Sequence, residues 1–195
     1  MKFCGVILAG GQSRRMGTNK ALLPLNGKQA IGHILDEVST VVESSVIISN
    51  EIESYSFLQI PVYQDIHPGK GPLAGLESVM ENVESEWYVI IACDMPLISR
   101  KIIGELIDEA VSCDAVVPKV EGRKHPLMGV YHRSVLSVVK ECIKNNELRM
   151  ESLLQKISVK YKTSFQVEDS VVQKHFFNMN HPEEYENAKR MITKN

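Results

Sequence analysis

The chain has 195 residues, 44% of them apolar and 24% charged, which is enough apolar material for one sizeable core and too much for a chain that stays unfolded. Lysine and arginine number 22 against 24 acidic residues, a net charge of −2. No overall basic field is therefore available to hold a nucleic-acid backbone or an anionic membrane, and any anionic ligand must be met by a local site.

The first nine residues after Met1-Lys2, F-C-G-V-I-L-A-G-G, have the outline of a short signal peptide, but the apolar run sits at the lower length limit of such a segment. Phe3 to Ala9 reads better as a buried strand. Further continuous apolar runs follow at Ser45 to Ser49, Ile60 to Gln64, Trp87 to Cys93 and Asp114 to Pro118. Between them, apolar residues recur at three and four positions: Ala30, Ile31, Ile34, Leu35, Val38 and Val42; then Leu73, Leu76, Val79, Met80 and Val83; then Ile102, Ile103, Leu106, Ile107, Ala110 and Val111. Each set forms one stripe that can lie on a sheet. Leu127 to His132 reads as another strand, Ser134 to Ile143 as a helix, Lys160 to Val167 as a partly alternating strand, and Pro182 to Thr193 as a helix opened by its proline. The pattern predicts an α/β fold of the doubly wound kind, a mainly parallel sheet flanked by helices. No repeat, low-complexity tract or linker interrupts it, so a single domain over residues 1–195 is expected.

No run approaches the ~18 apolar residues of a membrane span. The four cysteines, Cys4, Cys93, Cys113 and Cys142, make no C-x-x-C pair of a zinc site or redox dithiol and are expected as free thiols of a cytoplasmic protein.

In an open parallel sheet, ligands bind beyond the carboxyl ends of the strands. The loop after the first strand, G-G-Q-S-R-R-M-G-T-N-K from Gly10 to Lys20, combines glycines at 10, 11 and 17 with the cations Arg14, Arg15 and Lys20. Glycines let backbone amides approach a ligand, and the pattern suits a polyphosphate; a tight turn with solvated arginines is the bland alternative. It is neither a Walker A loop nor G-x-G-x-x-G. Asp94, at the exit of the fourth strand, suits a Mg²⁺ that bridges phosphate oxygens, or else caps a turn before Pro96. Asp65 is open to the same two readings, and the following G-P-L-A-G opens a helix whose amides can face an anion. The six histidines lack metal-ligand spacing, the serines lack a G-x-S-x-G elbow, and the aromatics form no stacking ladder for single-stranded nucleic acid. The basic stretch V-E-G-R-K-H-P-L within residues 119–128 suits an acceptor phosphate or a solvated loop equally.

The run L-A-G-G-Q-S-R-R-M-G-T-N-K-A-L-L from Leu8 to Leu23 resembles the signature loop of the molybdenum cofactor guanylyltransferase (MobA) family, within the nucleotidyltransferases of the nucleoside-diphospho-sugar transferase fold. G-P-L-A-G at Gly71 to Gly75, A-C-D-M-P at Ala92 to Pro96, H-P-L at His125 to Leu127 and F-N-M-N-H-P-E-E at Phe177 to Glu184 resemble its later motifs in order. The L-A-G-G form is similar to guanylyl members, whereas cytidylyl relatives usually read L-A-A-G. The family often has Asp directly before the lysine; here Asn19 stands there, removing a charge that could orient Lys20.

The resemblance implies that Leu8, Ala9, Gly10 and Gly11 hold the nucleoside, with Asn50 and Asp65 also toward the nucleotide. It implies further that Arg15 and Lys20 grip the triphosphate, that Asp94 binds Mg²⁺, and that Asn180 lies toward the metal or the acceptor. Lys20, Asp94 and Arg15 would be the catalytic set. The implied substrates are GTP and molybdenum-molybdopterin, with pyrophosphate and a guanine dinucleotide cofactor as products. No nucleic acid or membrane is implied, and there is room for transient contact with molybdoenzymes or an accessory GTP-binding protein. A CTP-using or other nucleotidyltransferase of the same fold is the nearest rival; a nucleotide-binding regulatory module without turnover, or a NAD-dependent oxidoreductase, comes from a different class. Intact Lys20 and Asp94 speak against the module, and the missing G-x-G-x-x-G against the oxidoreductase.

Overall fold

The structure, a computed structural model, describes residues 1–10 and 19–192. In chain order the elements are strand β1 (Phe3–Leu8), a small hairpin of β2 (Pro24–Leu25) and β3 (Lys28–Gln29), helix α1 (Ala30–Val38), β4 (Ser44–Ile48), β5 (Val62–Tyr63), α2 (Pro72–Asn82), β6 (Trp87–Ala92) and α3 (Arg100–Asp108). Then come β7 (Ala115–Val120), β8 (Arg123–Lys124), β9 (Met128–His132), α4 (Leu136–Lys144), α5 (Met150–Leu154), β10 (Val159–Lys162), α6 (Asp169–His175) and α7 (Pro182–Ile192). Turns of 3-10 type span Lys20–Leu22, Ile52–Leu58 and Arg133–Val135.

The main sheet runs β10-β7-β9-β6-β1-β4-β5, with β8 paired to β7. Every side chain of β1 and β6 is buried, as continuous apolar runs require when both faces are covered. Alternate residues divide between two cores. Phe3 and Ile7 of β1, with Trp87, Val89 and Ile91 of β6, pack with Ile31 and Ile34 of α1 and Ile103 and Leu106 of α3. Cys4, Val6 and Leu8, with Tyr88 and Ile90, pack with Leu73, Leu76 and Met80 of α2 and Val139 and Cys142 of α4. The result is a helix, sheet, helix sandwich, and the expected doubly wound architecture is observed. All four cysteines are free.

One expected strand takes a direction the sequence left open, and two expectations need adjustment. The expected strand at Leu127 to His132 is present as β9 and runs antiparallel to β6 and β7, within the mainly parallel sheet that was expected. Its reversal comes from Glu121 and Gly122, both at positive φ (50° and 78°), which turn the chain back into β8 and β9. The third apolar run shrinks to the two residues of β5, because Gln59 is left-handed (φ 55°) and Pro61 offers no amide to a ladder. Beyond Lys162 the partly alternating stretch leaves the sheet, since β10 pairs with β7 only from Val159 to Lys162. The hairpin, the 3-10 turns, β8, α5 and α6 are too short to carry a periodic signal.

Candidate active site

The sheet grows from β1 in both directions, with β4 on one side and β6 on the other, and this reversal opens a crevice at the carboxyl ends of the strands. The chain leaves β1 at Ala9-Gly10, β4 at Ser49-Asn50 and β6 at Cys93-Asp94, so all three exits share that end.

Lys20 begins its 3-10 turn, which Asn19 caps by accepting the Ala21 N–H on Oδ1 at 3.1 Å. The Lys20 Nζ donates to Asp94 Oδ2 at 3.0 Å and to Asn180 Oδ1 at 2.9 Å. The Lys20 and Asp94 side chains are 21% and 20% exposed, sheltered yet reachable by a ligand. Asp94 is fastened through its carbonyl, which accepts the Met179 N–H at 2.7 Å. Asn180 is fastened from below: the Glu184 carboxylate at the start of α7 accepts the N–H groups of both Asn180 (2.6 Å) and His181 (2.9 Å). Three residues expected from separate motifs therefore meet at one ammonium.

The other expected positions differ in what they do. Leu8 and Ala9 already engage backbone groups internally: the Leu8 carbonyl accepts from Cys93 N–H, Ala9 N–H donates to Ile48, and the Ala9 carbonyl receives the Ser49 and Tyr55 hydroxyls at 3.5 Å each. Gly10 is exposed. Asn50 and Asp65 come together, Asn50 Oδ1 accepting the Asp65 N–H at 3.3 Å, while Asp65 Oδ1 accepts from His67 N–H and the Ser78 hydroxyl, which makes Asp65 a turn cap as well. Gly11 and Arg15, like Arg14 and Gly17, lie outside the described residues. In the basic stretch 119–128, Lys124 is committed to Glu151 at 2.6 Å and Arg123 is exposed at the hairpin tip.

Two connections were not legible in the motifs. Asn19 donates to Glu51 and Tyr55 in the turn beyond β4. His175, fully buried at the end of α6, accepts the Ser99 N–H on Nδ1 at 2.8 Å and so ties the segment after Asp94 to the segment before Asn180. Burial lowers the His175 pKa to about 3, with the nearby His125 adding to the effect. The His125 pKa is itself lowered by burial and then by Arg123, and its ring packs at a tilt against Phe176, centroids 4.4 Å apart. Burial pushes the Cys93 thiol up to about 12, so it stays protonated beside Asp94.

Among the described residues no group of three or more His, Cys, Asp or Glu is arranged to hold a metal ion. The donor set still fits a metal shared with a substrate: one carboxylate and one amide oxygen converge on a single cationic point, and Mg²⁺ characteristically takes one or two protein oxygens and completes its shell with phosphates and water. No helix among the described residues is long and apolar enough to cross a membrane.

A doubly wound sheet with an ammonium, a carboxylate and an amide gathered at its central strand exits is suited to a phosphate-bearing ligand, and the relatives of the chain give the class, a nucleotidyltransferase. A family model for the MobA-like NTP transferase domain matches residues 5–161. Relatives include a probable molybdenum cofactor guanylyltransferase of Bacillus cytotoxicus, 40% identical over 93% of each chain, and one of Bacillus cereus, 37% identical over 98% of each. Among solved structures, the molybdopterin-guanine dinucleotide biosynthesis protein A of Archaeoglobus fulgidus superposes with a TM-score of 0.82 at 25% identity, covering 98% of this chain and all of the other. The chain belongs to the MobA-like NTP transferase family.

Proposed function

We propose that this chain, acting as one nucleotidyltransferase domain in the cytoplasm, transfers GMP from GTP to the terminal phosphate of molybdenum-loaded molybdopterin. The observation that carries the reading is the meeting of Lys20, Asp94 and Asn180 at the switch point of the sheet, in a chain similar over nearly its whole length to guanylyltransferases. In the step, an oxygen of the acceptor phosphate forms a bond to the α-phosphorus of GTP as the bond to the bridging oxygen breaks, and pyrophosphate leaves with that electron pair. The nucleophile is already an anion, so no general base is needed; alignment and charge neutralisation supply the rate.

Lys20, with Arg15, neutralises the triphosphate and the charge that builds on the departing pyrophosphate. Asp94, with Asn180, would hold Mg²⁺, which when bound screens the phosphate oxygens and orients them. In its absence Asp94 and Asn180 keep the Lys20 ammonium at the strand exits, so the cation is in place before GTP arrives. The nucleoside is assigned to Leu8, Ala9, Gly10, Gly11, Asn50 and Asp65; of these, Leu8 and Ala9 already use backbone groups within the sheet and its core, while Gly10 is exposed to a ligand. The protonated Cys93 takes no part.

Pyrophosphate release with molybdenum-loaded molybdopterin, with and without Mg²⁺ and with GTP and CTP compared under identical conditions, tests the reading. Mg²⁺-dependent turnover with GTP alone supports it. A preference for CTP would overturn the base assignment, and release from neither would refute the transfer.

A further inference from the structure

The chain carries Asn19 directly before Lys20, and its side chain is directed away from the Lys20 ammonium, which Asp94 and Asn180 hold. The Asn19 side chain uses both ends of its amide: Oδ1 accepts the Ala21 N–H at 3.1 Å, while Nδ2 donates to Glu51 Oε2 at 3.0 Å and to the Tyr55 hydroxyl at 2.9 Å. Glu51 and Tyr55 stand just beyond β4, next to Asn50, and Tyr55 is completely buried in the core that includes Ile31, Ile34 and Ile47. One amide thus clamps the turn carrying Lys20 to the neighbouring strand exit.

We propose that Asn19 is a positioning residue, its amide fixing the Lys20 turn against Glu51 and Tyr55, and that Glu51 is what makes an amide rather than a carboxylate necessary at this position. An aspartate can still cap Ala21 and can accept from the Tyr55 hydroxyl, but it has no N–H to give Glu51. Its second oxygen would sit where the amide nitrogen now does, about 3 Å from a carboxylate, where two ionised groups repel. Glu51→Gln would return the missing donor from the opposite side, so Asn19→Asp is tolerated only together with it.

The proposal rests on Lys20 being a triphosphate-binding group. It is tested by calorimetric titration of GTP and CTP, each with Mg²⁺, into wild type, Asn19→Asp, Glu51→Gln and the double variant, with thermal melts of all four. Asn19→Asp is expected to weaken nucleotide binding by about tenfold or more, the scale of losing a hydrogen bond to a charged group. Glu51→Gln alone, which keeps an acceptor for the amide, should remain within about threefold, and the double variant should return to within about threefold of wild type. Asn19→Ala, which removes the amide without adding charge, should fall between wild type and Asn19→Asp. Unchanged binding in Asn19→Asp overturns the proposal. So does a double variant that melts like wild type yet binds no better than Asn19→Asp. A purely structural role predicts lower melting temperatures with unaltered affinity in the folded protein, and that result also overturns it. Wild-type binding of CTP in place of GTP would sink the guanylyl reading while the four-protein comparison still runs on CTP.

Discussion

Asp94→Asn separates what the carboxylate does for the fold from what it does for the reaction. In the free protein Asp94 Oδ2 lies 3.0 Å from Lys20 Nζ, both side chains are about one-fifth exposed, and Asn180 gives the same ammonium a neutral acceptor at 2.9 Å. The amide in Asp94→Asn keeps an oxygen of similar position, and Lys20 retains both acceptors and some water, so no unpaired buried charge is created. The loss of stability is therefore expected at about 1 kcal/mol or less, toward the range of partly solvated ion pairs, which for a chain of this size lowers the melting temperature by about 2–4 °C. Turnover should fall far more, by about a hundredfold or beyond, the scale of removing one main electrostatic stabiliser of the transition state. Pyrophosphate release at saturating GTP, run over a Mg²⁺ series beside a thermal melt, measures both quantities on one preparation. Turnover within about tenfold of wild type with an unchanged Mg²⁺ requirement would refute the role given to Asp94.

Lys20→Ala should weaken GTP binding by about 1.5–3 kcal/mol, the range for hydrogen bonds to charged groups, and an unchanged affinity by titration calorimetry would remove Lys20 from the phosphate site. His175 makes a pH-dependent contribution. Unfolded, it takes its proton near 6.5, but folded only at about 3, so the unfolded chain binds more protons in that window. Stability is complete above pH 6.5 and drains on acidification toward 3, by up to about 1.4 kcal/mol per pH unit. His175→Asn should flatten the difference in denaturant stability between pH 7 and pH 5; parallel curves for the two proteins would contradict the assignment. Gly5→Ala should cost about 1–3 kcal/mol by overpacking, because a Cβ there would stand 2.8 Å from Val38, 3.2 Å from Ser45 and 3.3 Å from Val42 where α1 and its following turn close on β1. Its GTP KM should stay at the wild-type value, since no contact at the strand exits is touched.

Much of the framework was legible in the chain because it is encoded locally. Trp87 to Cys93 is apolar without interruption and became the fully buried β6. The three- and four-residue spacing of Ile102, Ile103 and Leu106 became the inner face of α3. Glycines and cations after the first strand, and an aspartate after the fourth, marked the end of the sheet where a ligand binds, since the carboxyl ends of parallel strands open into loops. The direction of β9 was not legible, because an apolar run reads the same whichever way it is laid into a sheet; the left-handed pair Glu121 and Gly122 decided it.

The residues of the candidate site divide in the same way. The sequence by itself determined the layered α/β fold and nominated Lys20, Asp94 and Asn180, each from its own short motif. Only the tertiary structure decided that they form one cluster, because Lys20 is separated from Asp94 by 74 positions and from Asn180 by 160, and side-chain hydrogen bonds across such spans leave no periodicity in the chain. The same holds for Asn19, which in sequence is a departure from an expected charge and in space is the donor shared by Glu51 and Tyr55. Local pattern follows from backbone geometry and burial, whereas the meaning of a single polar residue follows from the partners that folding brings to it.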